Sequence, residues 1–220
     1  MTSIVTNEKP RFVYWKMNSR AQMSMLMLRC SNMEYDWDSE TANTWPKPKE
    51  KMPFGQLPVL FHNDLTIAQS GAIVRYCAKL ANLWPQKMED VVMADMLIEQ
   101  SEDIFKLFGK AKYAGDEDAQ KEKWIELKET KLPQKLDSLA KLLGDKTYFS
   151  GDNHTAGDVA IFSTLFLLVQ AGLEEVLSEY PTLQSHYENV LKLGSINEFV
   201  QEGHAAYFKA IGLEEVLITA

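Results

Sequence analysis

The chain has 220 residues, 45% of them hydrophobic and 25% charged, with a net charge of −8. This is the composition of an ordinary globular protein with ample material for a core; the acidic balance, with no run of lysines or arginines, argues against a nucleic-acid partner. The N-terminus lacks a basic segment followed by an apolar one, no stretch approaches the roughly 18 apolar residues of a membrane span, and Cys30 and Cys77 stand in no metal-ligand spacing. The expectation is a cytoplasmic protein with no zinc site, disulfide framework or membrane partner.

Residues 1 to 9 are polar and predict a frayed end. Arg11-Phe12-Val13-Tyr14-Trp15 reads as a short strand, residues 20 to 33 as a helix with methionine-rich apolar faces, and Tyr35-Asp36-Trp37 as a second strand. Residues 39 to 53 are polar, contain Pro46, Pro48 and Pro53, and read as a loop with room for one helical turn. Two strands flank the turn His62-Asn63-Asp64, and a helix runs from about residue 70 to 80. The order βαβαββα describes a small α/β unit.

The character changes at Leu83-Trp84-Pro85. Beyond it a 3.6-residue period predicts helices over 90–113, 118–143, 156–170, 173–178, 182–192 and 195–201, with almost no strand pattern. The chain therefore divides into an α/β domain, residues 1–84, and an all-helical domain, residues 85–220. Cys30 and Cys77 fall in apolar helical surroundings and read as buried structural thiols. Thr155 and Asp158 stand at N-cap and N3 of the helix beginning Val159-Ala160-Ile161, a capping box with Asp in place of Glu.

Residues 52 to 76, MPFGQLPVLFHNDLTIAQSGAIVRY, carry the strongest functional signal. Pro58 precedes the apolar run Val59-Leu60-Phe61, where a strand interior would reject it. A cis turn there would present the Leu57 backbone N–H and C=O to a ligand. Ser70 opens a helix, and two readings stand for it: a plain N-cap, or a partner for a ligand carboxylate. Together these features form a cradle for a small extended peptide.

Four segments in order give the chain a resemblance to the cytosolic glutathione S-transferases. They are Tyr14 at the end of the first strand, Phe54-Gly55-Gln56-Leu57-Pro58-Val59-Leu60, Gln69-Ser70-Gly71-Ala72-Ile73, and the box from Thr155 to Asp158. Residues Val13 to Gln22 resemble the tyrosine-type classes, sigma class most closely. The resemblance implies a thioredoxin-like N-terminal domain, an all-helical C-terminal domain and a homodimer. Glutathione would be cosubstrate, with no cofactor, and its partner a small hydrophobic electrophile, as in detoxification. A non-catalytic carrier or lens-crystallin-like protein on the same fold is the alternative.

The chemistry follows from the residues. A free thiol has a pKa of about 8.5, so little thiolate exists at neutral pH. A tyrosine hydroxyl donating to the sulfur favours the thiolate. A shift of about two units needs roughly 2.7 kcal/mol, and one hydrogen bond to a charged group supplies about 1.5–3 kcal/mol. Tyr14 is the candidate, with Arg20 beside it as electrostatic support. The resemblance implies that Leu57, after Pro58, pairs with the cysteinyl residue like a strand rung, and that Gln69 and Ser70 hold the γ-glutamyl group. It also implies that Trp45 and Lys49 meet the glycine carboxylate, that Gln56 faces the same ligand, and that Asp103 reaches the γ-glutamyl amine across a dimer interface. Lys16, Met17, Phe105, Phe108, Lys112, Tyr207 and Phe208 are the implied lining of the electrophile site. Asn18-Ser19 departs from the sigma-type Arg-Gly, and Gln22 stands where glutamate is common.

Overall fold

A computed structural model describes residues 8–203 of the chain. Tyr207 and Phe208, named above for the electrophile site, lie outside the described residues. Four strands, β1 (Arg11–Val13), β2 (Asp36–Asp38), β3 (Val59–His62) and β4 (Leu65–Ala68), form one sheet in the order β2-β1-β3-β4. β1 runs parallel to β2 and antiparallel to β3, and β3 pairs antiparallel with β4 through the His62-Asn63-Asp64-Leu65 turn. Asn63 supplies the positive φ of 52° that this turn needs.

Side chains alternate across the strands, so adjacent residues enter different cores. Phe12 and Leu60, opposite one another in register, pack into the core formed with α1 (Gln22–Cys30) and α3 (Ser70–Leu80). Their neighbours Val13 and Val59 face the other side, against Ala42 of α2 (Ser39–Asn43) and Met52. Both cysteines are buried, and burial raises the Cys30 thiol to about 12 and the Cys77 thiol higher still, so neither is a reactive thiolate.

Several boundaries differ from those expected, each for a local reason. β1 stops at Val13 because Tyr14 leaves the sheet, its carbonyl accepting the Trp37 indole N–H at 3.1 Å. The segment 39–53 holds a helix and a 3-10 turn (Lys49–Lys51), since Asp38 caps α2 by accepting from the Thr41 N–H at 2.9 Å. The expected 118–143 helix consists of α5 (Glu117–Glu126), a π segment (Leu127–Lys131) and α6 (Leu132–Leu143). Pro133, in the first turn of α6, offers no N–H to Glu129, and a widened turn accommodates that loss.

The remaining helices are α4 (Met88–Lys112), α7 (Ala156–Gln170), α8 (Glu174–Ser178), α9 (Pro181–Leu191) and α10 (Ile196–Gln201). This is a thioredoxin-like sheet domain followed by a helical domain. α7 is apolar all round and buried along nearly its whole length, as a central helix must be. At Gly157 a Cβ would stand 2.7 Å from Leu97 Cδ1 and 3.0 Å from Ala94 Cα, so the close approach of α7 to α4 requires glycine.

The capping box at Thr155 is formed in both directions. Asp158 is fully buried yet well supplied with donors: Thr155 N–H and Phe149 N–H at 2.8 Å, Thr155 Oγ1 at 3.1 Å and His186 Nε2 at 3.1 Å. Ala156 N–H bonds the Leu83 carbonyl at 2.9 Å, and the Gln22 amide donates to the carbonyl and hydroxyl of Ser163 at 3.1 Å. These contacts tie the sheet domain to α7. No helix among the described residues is long and apolar enough to cross a membrane.

Candidate active site

The N-terminus of α3 faces a cavity of about 470 Å³. The sequence nominated much of its wall: Arg20, Trp45, Gln56, Leu57, Pro58, Gln69 and Ser70 all line it. Trp15, Phe54, Gly55 and Ala68 complete it. The Leu57–Pro58 bond is cis, and the Leu57 backbone N–H and C=O make no hydrogen bond among the described residues. An extended peptide can therefore pair with this residue in strand fashion. Gly55 has φ +59°, so the turn before Leu57 favours glycine, and a Cβ there would also press on the Lys49 side chain at 3.2 Å.

Gln69 is the N-cap of α3, with φ +73° and ψ +118° and no side-chain cap bond. A non-glycine residue in so sparse a region costs about 1–3 kcal/mol and is held by its surroundings. Ser70 is the first helical residue, not the cap, and its hydroxyl is engaged: it donates to Glu102 Oε1 of α4 at 3.2 Å. Glu102 Oε2 lies 3.6 Å from Arg20 Nη1. The guanidinium in turn sits over the Phe105 ring, 5.1 Å from its centroid. Helix start, carboxylate and guanidinium thus form a chain of charges along the cavity edge.

Tyr14 is 5% exposed and does not itself line the cavity; it packs against Trp15, ring centroids 5.5 Å apart, and neighbours Arg20, both of which do. Ser19 and Arg20, just before α1, are its polar neighbours. Burial is the dominant influence and raises the phenol above its ordinary value of 10.0, while those two contacts and the Arg20 charge act in the opposite direction. The phenol is consequently protonated at neutral pH. A protonated phenol retains an O–H to donate.

Other nominated residues lie elsewhere. Lys49 is exposed, with its side chain packed against Gly55 and off the cavity wall. Asp103 is exposed and bonded to Lys106 at 3.0 Å, whereas its neighbour Glu102 turns inward to Ser70. Phe108 is fully buried in the helical core, 5.9 Å from the Trp124 ring. Lys112 is also buried, its ammonium 5.6 Å from the Tyr113 ring, and burial lowers its pKa. Lys16 is exposed, Met17 is half-buried against both main cores, and Phe105 borders a small polar space behind Arg20 with Gln22, Ser101 and Ser163.

The sequence reading passed over Glu102 and Phe54. Glu102 was visible as part of the acidic face Glu99-Glu102-Asp103, but 3.6-residue periodicity cannot say which member meets α3. Phe54 is 64% exposed beside the cavity, and its size and position in the Pro53-Phe54-Gly55 turn were the available signals.

Comparison with known proteins agrees with this geometry. The family model described as Glutathione S-transferase, N-terminal domain matches residues 10–79, and that of the C-terminal domain matches residues 102–203. Hematopoietic prostaglandin D synthase of Mus musculus is 31% identical over 192 residues, 86% of this chain and 94% of the relative. Glutathione S-transferase P of Caenorhabditis elegans is 26% identical, covering 87% and 92%. A solved structure, rat hPGDS complexed with a quinoline, superposes with a TM-score of 0.79 at 27% identity, over 89% of this chain and 97% of the other. The chain belongs to the glutathione S-transferase family of enzymes.

Proposed function

We propose that this enzyme binds glutathione in the cavity at the head of α3, activates it as a thiolate through Tyr14, and transfers it to small hydrophobic electrophiles. The observation that carries the reading is a cavity with a free backbone edge at Leu57, two of whose wall residues, Trp15 and Arg20, neighbour the buried, protonated Tyr14 phenol. The cysteinyl residue pairs with Leu57 after the Pro58 turn. The γ-glutamyl carboxylate meets the Ser70 N–H and hydroxyl, where the positive end of α3 and Arg20 favour it. Gln69 and Gln56 flank it, and Trp45 borders the glycine end, with Lys49 reachable from outside.

The γ-glutamyl amine needs an acidic partner, and Glu102 stands beside Ser70. On ligand binding Ser70 exchanges Glu102 for the carboxylate, and Glu102 receives the ammonium. Asp103, exposed on the same helix, is the residue that a homodimer would present to its partner. Tyr14→Phe tests the reading: glutathione binding persists while conjugation of an aryl halide falls about 100-fold, a loss equivalent to two pKa units of thiol activation. Undiminished turnover would remove Tyr14 from the mechanism.

A second reading, prostaglandin-type isomerisation by the same thiolate, is favoured by the similarity to prostaglandin D synthases. Peroxidase action on organic hydroperoxides would use the same nucleophile. We further infer a sigma-like class, a division of the chain near residue 84, and a homodimer acting in detoxification in the cytoplasm.

A further inference from the structure

α7 packs against both α1 and α4, and where the three helices meet there is a polar space of about 20 Å³. Among the described residues Arg20 alone lines both this space and the glutathione cavity. One ordered water needs roughly 10–15 Å³ and two to four polar partners. The space therefore suits a single water and excludes any organic ligand.

Its walls carry polar atoms that the protein leaves unmatched. The Gln22 amide is fixed in orientation, because the Ser163 carbonyl, 3.1 Å from Nε2, can only accept. Oε1 is thereby turned away from that carbonyl, and it has no hydrogen-bond partner among the described residues although Gln22 is only 4% exposed. On the α4 side of the space the Ser101 hydroxyl is in the same position at 2% exposure. Buried polar atoms are nearly always paired, with protein or with ordered water. The Ser163 hydroxyl accepts from Gln22 Nε2 at 3.1 Å and retains an O–H to donate. Glu102 also borders the space, and its carboxylate has acceptor sites beyond the one that Ser70 uses.

We propose that this space binds one water molecule, which donates to Gln22 Oε1 and to the Glu102 carboxylate and accepts from the Ser101 and Ser163 hydroxyls, and that Gln22 and Ser101 are thereby positioning residues for Glu102. Two bonds given and two received fall within what a buried water makes. They join α1, α4 and α7 at one point. Glu102 needs such an anchor: Ser70 bonds it at 3.2 Å, while Arg20 at 3.6 Å lies beyond hydrogen-bond length. The consequence for ligand affinity rests on the reading of Glu102 as partner of the γ-glutamyl amine; the water site does not.

Crystallography of the ligand-free full chain, at a resolution that shows ordered water, tests the proposal. In the wild type one water stands about 2.8 Å from both Gln22 Oε1 and Ser101 Oγ. Ser101→Val fills the space, expels the water and releases Glu102 from its 3.2 Å bond with Ser70. Calorimetry on that variant gives about a five-fold loss of glutathione affinity, the scale of one neutral hydrogen bond, while an analogue lacking the γ-glutamyl amine binds as it does to the wild type. Ser101→Ala, which adds no bulk should valine disturb the packing, lowers the occupancy of the water and gives a loss of the same selectivity. A wild-type crystal in which Gln22 Oε1 meets a protein donor and no water would overturn the site. An unmoved Glu102 in Ser101→Val, or equal losses for glutathione and the analogue, would overturn the positioning role. If the wild type binds neither ligand, the reading of the cavity fails, and the density beside Gln22 still decides the water site.

Discussion

Ser70 at the first turn of α3 donates its hydroxyl to Glu102 of α4 across 3.2 Å, a hydrogen bond between the sheet domain and the helical domain. Both side chains are partly buried, and Glu102 also faces the Arg20 guanidinium at 3.6 Å. A carboxylate in this position opposes an incoming anion and attracts an incoming ammonium. The γ-glutamyl end of glutathione carries both charges, so under the proposed binding Glu102 would select the intact amino acid over a simple acid.

Glu102→Gln keeps an acceptor for Ser70 but removes the charge. Glutathione affinity should fall about ten-fold, the scale of a charge-assisted hydrogen bond, whereas a glutathione analogue lacking the amine should bind the variant and the wild type alike. Asp103→Asn, at an exposed position paired with Lys106, should cost less than about five-fold, as exposed pairs do. Titration calorimetry on both variants decides between the two residues. A larger loss for Asp103→Asn would move amine recognition to that side chain.

Gln69 combines a strained backbone with a place on the cavity wall. Gln69→Gly relieves the positive φ and should raise unfolding stability by about 1 kcal/mol, while glutathione binding weakens through loss of the side chain. Chemical denaturation and a binding titration on the same preparation give the two signs. Lower stability in the glycine variant would contradict the strain argument.

Ser19 acts on the phenol through its hydroxyl. Its contact pulls the Tyr14 pKa down against burial, so Ser19→Gly should raise the phenol further in an ultraviolet titration and weaken it as a donor. The sign for stability is also defined. The folded pKa is raised above the ordinary 10.0 for Tyr14, and for Tyr35 and Tyr187 as well, chiefly by burial. Stability from these groups is complete below pH 10 and is lost as pH climbs through their folded values. Alkaline unfolding followed by circular dichroism reports that loss.

The buried Asp158 holds four donors, two of them backbone N–H groups. Asp158→Ala would strand them and should cost about 3 kcal/mol or more, well beyond the ~1 kcal/mol of an ordinary cap. The expected result is a lowered Tm with unaltered glutathione affinity in the fraction that remains folded. A Tm within a degree or two of wild type would show that the network is dispensable.

The four motif segments made the sheet domain and the cradle legible in advance, because Pro58, Gly55 and the helix start at Ser70 are constraints of the local backbone. The helices beyond residue 88 were legible from periodicity, and the α7 box from Thr155 and Asp158. Long-range geometry was not. A helical period places Glu102 and Asp103 side by side but cannot say which one α3 will meet. It likewise placed Phe108 on a helix without revealing the edge-on contact with Trp124. The π segment escaped because Leu127 to Lys131 is a good helical sequence, and only Pro133 hinted at an irregular turn.

The central claim is that Tyr14 lowers the thiol pKa of bound glutathione. Spectroscopic titration of the thiolate in the binary complex measures it directly, comparing wild type with Tyr14→Phe. The account predicts a wild-type thiol pKa about two units below the free value of about 8.5 and a return toward that value in the variant, with glutathione still bound. An equal thiol pKa in the two proteins would contradict it.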